Sequence, residues 1–228
     1  MESPHVGTLR EKPLHASLKQ WCSEPGDRFE VPVDGYVIDV VRAGLLIEVQ
    51  TSGFSGMKKK LTALLDAGHR VRIVHPVAET KWIVRLGDGG EVLSRRKSPK
   101  HGSLLSIFSE LVSFPGLIDH EGLEVDVLLT HEDEIRTHQP GKAWRRKGWV
   151  VEERHLIEVV GSRRLASTPD LVGLLPGTLP DRFTTADLAQ AADCPRRIAQ
   201  QVAYTLKHAG GITQVGKRGN SIEYALSG

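Results

Sequence analysis

Two carboxylates stand where a folded chain seldom tolerates them. Asp39 interrupts the apolar run YVIDVV and Glu48 the run LLIEVQ. Runs of that kind belong to strands covered on both faces, and a carboxylate there is costly unless it is paired, hydrogen-bonded or bound to a metal. A tight turn at Ala43-Gly44 separates the two runs, so an antiparallel pair brings Asp39 near Glu48. Glu48 and Gln50 share one face of their strand, because side chains alternate along it. A hard divalent cation such as Mg²⁺ (or Mn²⁺) is satisfied by one or two carboxylates plus water and phosphate oxygens. Held there, it can polarise a scissile phosphate and help to generate hydroxide.

The order of these residues carries a resemblance. A first helix with Glu11, a strand with Asp39, a tight turn, Glu48-x-Gln50 and then a helix opening on Lys58-Lys59-Lys60 resembles the PD-(D/E)XK nuclease superfamily, closest to Holliday-junction resolvases and type II restriction endonucleases. It covers roughly residues 7–77. The resemblance implies that Asp39 and Glu48 bind Mg²⁺ or Mn²⁺ and that Glu11 is an auxiliary acid. The family's Lys, which orients the attacking water, is here Gln50. Gln places water through its side-chain oxygen but adds no charge. Members of the superfamily also move that Lys onto the next helix, and Lys60 is the candidate for the migrated charge.

Each of these residues has a structural alternative. Thr8-x-x-Glu11 has the spacing of a capping box. The Lys58–Lys60 run suits a solvated helix face. Asp39 and Glu48 can be a hydrogen-bonded or Arg-paired set in a fold that has lost its chemistry. Trp82, Trp144 and Trp149 offer rings for base stacking or for packing.

The elements that must position the carboxylates are legible. Leu14, Leu18 and Trp21 recur at helical spacing, predicting a helix over 9–22. FEVPV, GYVIDVV and LLIEVQT, separated by Asp34-Gly35 and Ala43-Gly44, predict a three-stranded meander. Ser55 is a candidate cap for a helix that carries Met57, Leu61, Leu64 and Leu65 on one face. VRIVHPV is the next strand, KWIVRL and EVLSRR flank a hairpin at Gly87–Gly90, a helix is expected over 103–114, and LEVDVLLT is a further strand. The charge-dense stretch 131–155 is expected to be a surface excursion. This order predicts an α/β class with a mixed central sheet flanked by helices, restriction-endonuclease-like, over residues 1–165.

Residues 166–228 form a second expected domain. A helix over 168–175, then ADLAQAA capped by Thr184-Thr185, then RRIAQQVAYTLKHA, then the strands ITQVG and SIEYALS across Lys217–Asn220 give the order of a winged helix-turn-helix. Arg196, Arg197 and Lys207 on the second helix, with Lys217 and Arg218 at the hairpin tip, are placed for DNA phosphates. The patches 95–100 and 142–147 can add contacts. The alternative use of this domain is protein contact or dimerisation.

Composition bounds the rest. The chain has 228 residues, 30 Lys and Arg against 28 Asp and Glu, and two cysteines without CxxC spacing. The composition is that of a soluble globular protein, no disulfide framework or Cys-rich zinc site is expected, and no signal or membrane-length apolar run is visible. A cytoplasmic enzyme is expected: a Mg²⁺-dependent DNA endonuclease with DNA as partner, no membrane partner, and a homodimer left open. The alternatives are a non-catalytic DNA-binding or regulatory protein on a degenerate nuclease scaffold, and an RNA- or nucleotide-processing enzyme on the same scaffold.

Overall fold

Two hairpin turns fix the start of the sheet. Asp34 and Gly35 take φ of 48° and 81°, and Ala43 and Gly44 take 43° and 83°, the paired left-handed conformations of a two-residue type I′ turn. They join β1 (Arg28–Val33), β2 (Tyr36–Arg42) and β3 (Leu45–Val49). These strands pair antiparallel, with Val31 opposite Ile38 and Val40 opposite Ile47. The expected meander is therefore present.

The computed structural model describes residues 11–227. Helix α1 runs Pro13–Cys22, with proline at its first position, where no N–H is required. Glu11 precedes the N-cap residue Lys12, so it is not in the helix's first turn. The capping box expected with Thr8, and the helix start expected at residue 9, lie outside the described residues. Leu14 and Leu18 of α1 bury against Val40, Ile47, Val49, Val74 and Leu128.

Helix α2 (Lys58–Asp66) follows a 3-10 turn at Phe54–Met57. Ser55 sits inside that turn and Met57 is the N-cap, without a side-chain bond, so Ser55 does not cap α2. The runs 71–77 and 81–86 form one strand, β4 (Arg70–Leu86), of 17 residues. Strand β5 (Val92–Lys97) pairs back on β4, Trp82 opposite Lys97. The helix expected over 103–114 is shorter: a 3-10 turn Leu104–Ile107, then α3 (Phe108–Leu111). Residues 131–155 are not an excursion. They belong to β6 (Leu123–His138) and β7 (Trp149–Leu165) with the turn between them.

The strands make a seven-stranded sheet in the order β1-β2-β3-β4-β6-β7, with β5 on β4. Helix α2 connects β3 to its neighbour β4, the crossover that a parallel pair needs, so the sheet is mixed and the class is α/β with flanking helices. The remaining elements are α4 (Thr168–Val172), β8 (Phe183–Thr184), α5 (Thr185–Ala191), α6 (Arg196–His208), β9 (Ile212–Arg218) and β10 (Ser221–Leu226). The last three strands form a small antiparallel sheet, β8-β10-β9.

The chain divides into two compact units. The first holds residues up to Thr51, Val74–Ser103 and Leu128–Ser162; the second holds Ser52–Ile73, Leu104–Val127 and Arg163–Gly228. The 165/166 position falls inside the second unit. Within that unit α6 packs against α3 and α5, Thr168 donates from N and Oγ1 to Asp119 at 2.6 and 2.7 Å, and Phe54 stacks on Phe114 at 5.5 Å.

Candidate functional site

The first unit gathers charge where α1 crosses β1 and β2. Asp39, on β2, accepts the Val49 N–H at Oδ2, 2.8 Å. The same oxygen lies 3.2 Å from His15 Nε2 on α1. His15 Nδ1 in turn lies 2.6 Å from Glu11 Oε1. Lys19, one helical turn on, places Nζ 2.6 Å from both Glu11 Oε1 and Glu30 Oε1. His15 and Lys19, four apart on α1, share one face, and Glu11, just before the helix, contacts both. The result is a chain of alternating acidic and basic groups: Asp39, His15, Glu11, Lys19, Glu30.

Local backbone helps to build it. Between the pairs Phe29↔Val40 and Val31↔Ile38, Glu30 takes a left-handed φ of 51°. Such a conformation costs a non-glycine residue about 1–2 kcal/mol and persists only where its surroundings hold it. Here the Lys19 ammonium holds the Glu30 side chain.

The protonation states follow from the contacts. Burial works to raise the Asp39 pKa, but the His15 hydrogen bond and the Val49 N–H outweigh it and the carboxyl ends below its usual range. Glu11 behaves likewise, its burial outweighed by Lys19 and His15. The bond to Asp39 raises the His15 pKa against the opposing effect of burial, with Glu11 adding to the rise. The carboxylates are thus held as anions, and anionic oxygen is the donor a hard cation takes.

The other sequence candidates fall as follows. Continuing the pairing Val40↔Ile47 by one step sets Asp39 opposite Glu48. Glu48 is half-buried in β3. Gln50 follows β3 directly; its N–H donates to Val74 O at 2.9 Å and its carbonyl accepts from His75 Nδ1 at 2.6 Å. Lys60 is half-buried on α2, in the second unit, whereas Lys58 and Lys59 are exposed. Among the described residues no group of three or more His, Cys, Asp or Glu side chains is arranged to hold a metal ion.

A family profile described as "Domain of unknown function (DUF8091)" matches residues 12–166. The chain belongs to that family. The DUF8091 match takes in α1, the seven-stranded sheet, and with them Asp39, Glu48, Gln50 and Lys60. The chain is also 36% identical over 186 residues to an uncharacterized protein of Treponema pallidum (strain Nichols), covering 81% of this chain and 74% of that one. No solved structure matches.

Beyond the DUF8091 match, α6 is strongly two-sided. Ala199, Val202, Ala203, Thr205 and Leu206 are buried, while Arg196, Arg197 and Lys207 are exposed. Arg196 and Lys207, with Gln200 and Tyr204 between them, line a cleft of about 380 Å³ whose other wall includes Asn220 and Ser221 of the β9–β10 hairpin. Lys217 is exposed. Arg218 is committed elsewhere: it bonds Asp187 at 2.9 Å and Glu223 at 2.7 Å.

Sequence reasoning missed His15, Lys19 and Glu30. The signal for the first two was the four-residue spacing from Glu11, which any solvated helix face also shows. Nothing local marked Glu30.

Proposed function

We propose that the chain is a Mg²⁺-dependent nuclease of the PD-(D/E)XK kind, hydrolysing DNA phosphodiester bonds. The observation that carries the reading is the antiparallel pairing of β2 with β3, Val40 opposite Ile47, which puts Asp39 and Glu48 at the next position along two adjacent strands, with Asp39 held by His15 and the Val49 N–H. The element order α1-β1-β2-β3-α2-β4 supports it as well.

The reading assigns the ion to two donors. Asp39 and Glu48 would hold it, and two carboxylates leave room for the waters and phosphate oxygens that Mg²⁺ prefers. When bound, the ion supplies Lewis-acid polarisation of the phosphate and a more acidic water. The chain's own groups do the rest. His15 and the Val49 N–H fix the Asp39 carboxylate. Lys19 holds Glu11 beside His15. Gln50, through its side-chain oxygen, would orient water where the superfamily uses Lys. In the second unit, α5, α6 and the β9–β10 hairpin are read as a winged helix-turn-helix whose exposed Arg196, Arg197, Lys207 and Lys217 grip DNA phosphates.

One observation favours the rival, a DNA-binding or regulatory protein on a degenerate scaffold. Protein groups already satisfy Asp39 and Glu11, and Gln50 replaces the charged Lys.

Titration with Mn²⁺ followed by electron paramagnetic resonance separates the two. The nuclease reading expects a bound-ion signal that Asp39→Asn and Glu48→Gln each weaken strongly. No binding at millimolar Mn²⁺ would leave the degenerate scaffold.

A further inference from the structure

The turn between β6 and β7 presents an indole to solvent. Trp144 is 80% exposed. Burying a ring of that size is worth a few kcal/mol, so a chain that leaves one outside forgoes it. The other two tryptophans of this region are half-buried, Trp82 beneath Arg95 and Trp149 beneath Arg85, each guanidinium 4.7 Å from the ring centre.

The turn is built, not slack. Residues Trp144–Arg146 form a single 3-10 turn, bracketed by Ala143 and Lys147 at left-handed φ of 46° and 51°. Arg146 N–H donates to Ala143 O at 2.7 Å, Lys147 N–H to Trp144 O at 3.0 Å, and Gln139 N–H closes the base on Gly148 O at 2.8 Å. Gly148, at φ 84°, admits no side chain, since a Cβ there would come within 2.5 Å of His138 Nε2.

Four cations flank the ring in sequence. Lys142, Arg145, Arg146 and Lys147 are exposed, and none of the four enters an ion pair among the described residues. The segment 139–148 contains no carboxylate. Some other cations of the same unit are paired, Arg95 with Asp133, and Lys81 and Arg136 with Glu134. The Arg145 guanidinium lies 5.3 Å from the Trp144 ring centre.

We propose that this turn grips single-stranded or unpaired nucleic acid, Trp144 stacking on a base while the four cations contact the flanking phosphates. An exposed aromatic ring among cations can meet a base face, which an intact duplex hides within its stack and an unpaired strand offers freely. An anionic membrane fits less well. The segment has one large apolar side chain, and inserting it would carry the Arg145 guanidinium toward hydrocarbon. The inference deepens the nucleic-acid reading by naming the strand state that is held, and it does not depend on the metal site.

The test is fluorescence anisotropy with the full-length chain in EDTA, using a labelled oligothymidylate of about 16 nucleotides and a duplex of equal length. The single strand should bind more tightly than the duplex. Trp144→Ala should weaken single-strand binding about tenfold or more, the worth of one base stack, and Trp144→Phe should restore most of it. Replacing Lys142, Arg145, Arg146 and Lys147 together by Gln should lower the salt slope by about three. Circular dichroism confirms that each variant keeps its fold. Unchanged single-strand affinity in Trp144→Ala overturns the proposal. So does Trp144-dependent binding to phosphatidylserine–phosphatidylcholine vesicles in place of the oligonucleotide. Because the test is run in EDTA, its outcome is independent of the metal site, so a failure of the nuclease reading would leave the single-strand binding and its dependence on Trp144 unchanged.

Discussion

His15 on α1 and Asp39 on β2 lie 3.2 Å apart through Nε2 and Oδ2, a contact that ties the first helix to the central strand of the meander. Its other ring nitrogen reaches Glu11, so removing the imidazole leaves two partly buried carboxylates without their shared partner. His15→Ala should cost about 1.5–3 kcal/mol, the range for hydrogen bonds to charged groups. With Asp39→Asn the double variant should show a coupling of about 1 kcal/mol. Urea unfolding of the four proteins measures both, and strictly additive losses would mean that the two residues do not act on one another.

Glu134 gives a pH dependence. It is buried on β6 between Lys81, at 2.7 Å, and Arg136. Burial acts to raise its pKa, but the bonds to Lys81 and Arg136 outweigh it and the pKa ends below the ordinary value. A folded pKa below the unfolded one, about 4.3, stabilises the protein above that value and is lost as pH falls through the folded pKa. Glu134→Gln should therefore be less stable than the wild type at pH 7, the gap narrowing below about pH 4. Denaturation midpoints across pH 3–7 check this, and a gap independent of pH would contradict it.

Cys22 should be an inert thiol. Burial is the main reason its pKa is pushed up to about 11, with the Arg42 guanidinium opposing. The thiolate is the reactive form. At pH 8 Cys22 should react with a disulfide reagent far more slowly in the folded protein than in urea. Equal rates in the two states would show that its surroundings do not protect it.

How much of this was legible depends on how local each cause is. The meander was readable because Asp34-Gly35 and Ala43-Gly44 carry the turn chemistry in adjacent residues. Helix α6 was readable because its buried face repeats at three and four. Strand β4 was read as two pieces, VRIVHPV and KWIVRL, because its continuity is set by the neighbours β3, β5 and β6 that the sheet brings alongside it and not by local residues. The length of β6 and β7 was hidden for a related reason. Glu132 and Glu134 look like loop charges until Arg154, Lys81 and Arg136, from elsewhere in the sheet or two residues on, come alongside them. Asp39 and Glu48 stood out because carboxylates inside apolar strands are costly in any fold. His15 did not, because its meaning comes wholly from a partner 24 residues away.

Cleavage of labelled DNA, single-stranded and duplex, with Mg²⁺ or Mn²⁺ and with EDTA tests the central claim most directly. The account predicts cutting by the wild type that needs the metal and that drops to background in Asp39→Ala and in Glu48→Ala, both still folded by circular dichroism. Cutting by either folded variant at the wild-type rate, or no metal-dependent cutting by the wild type on any of these substrates, would contradict it.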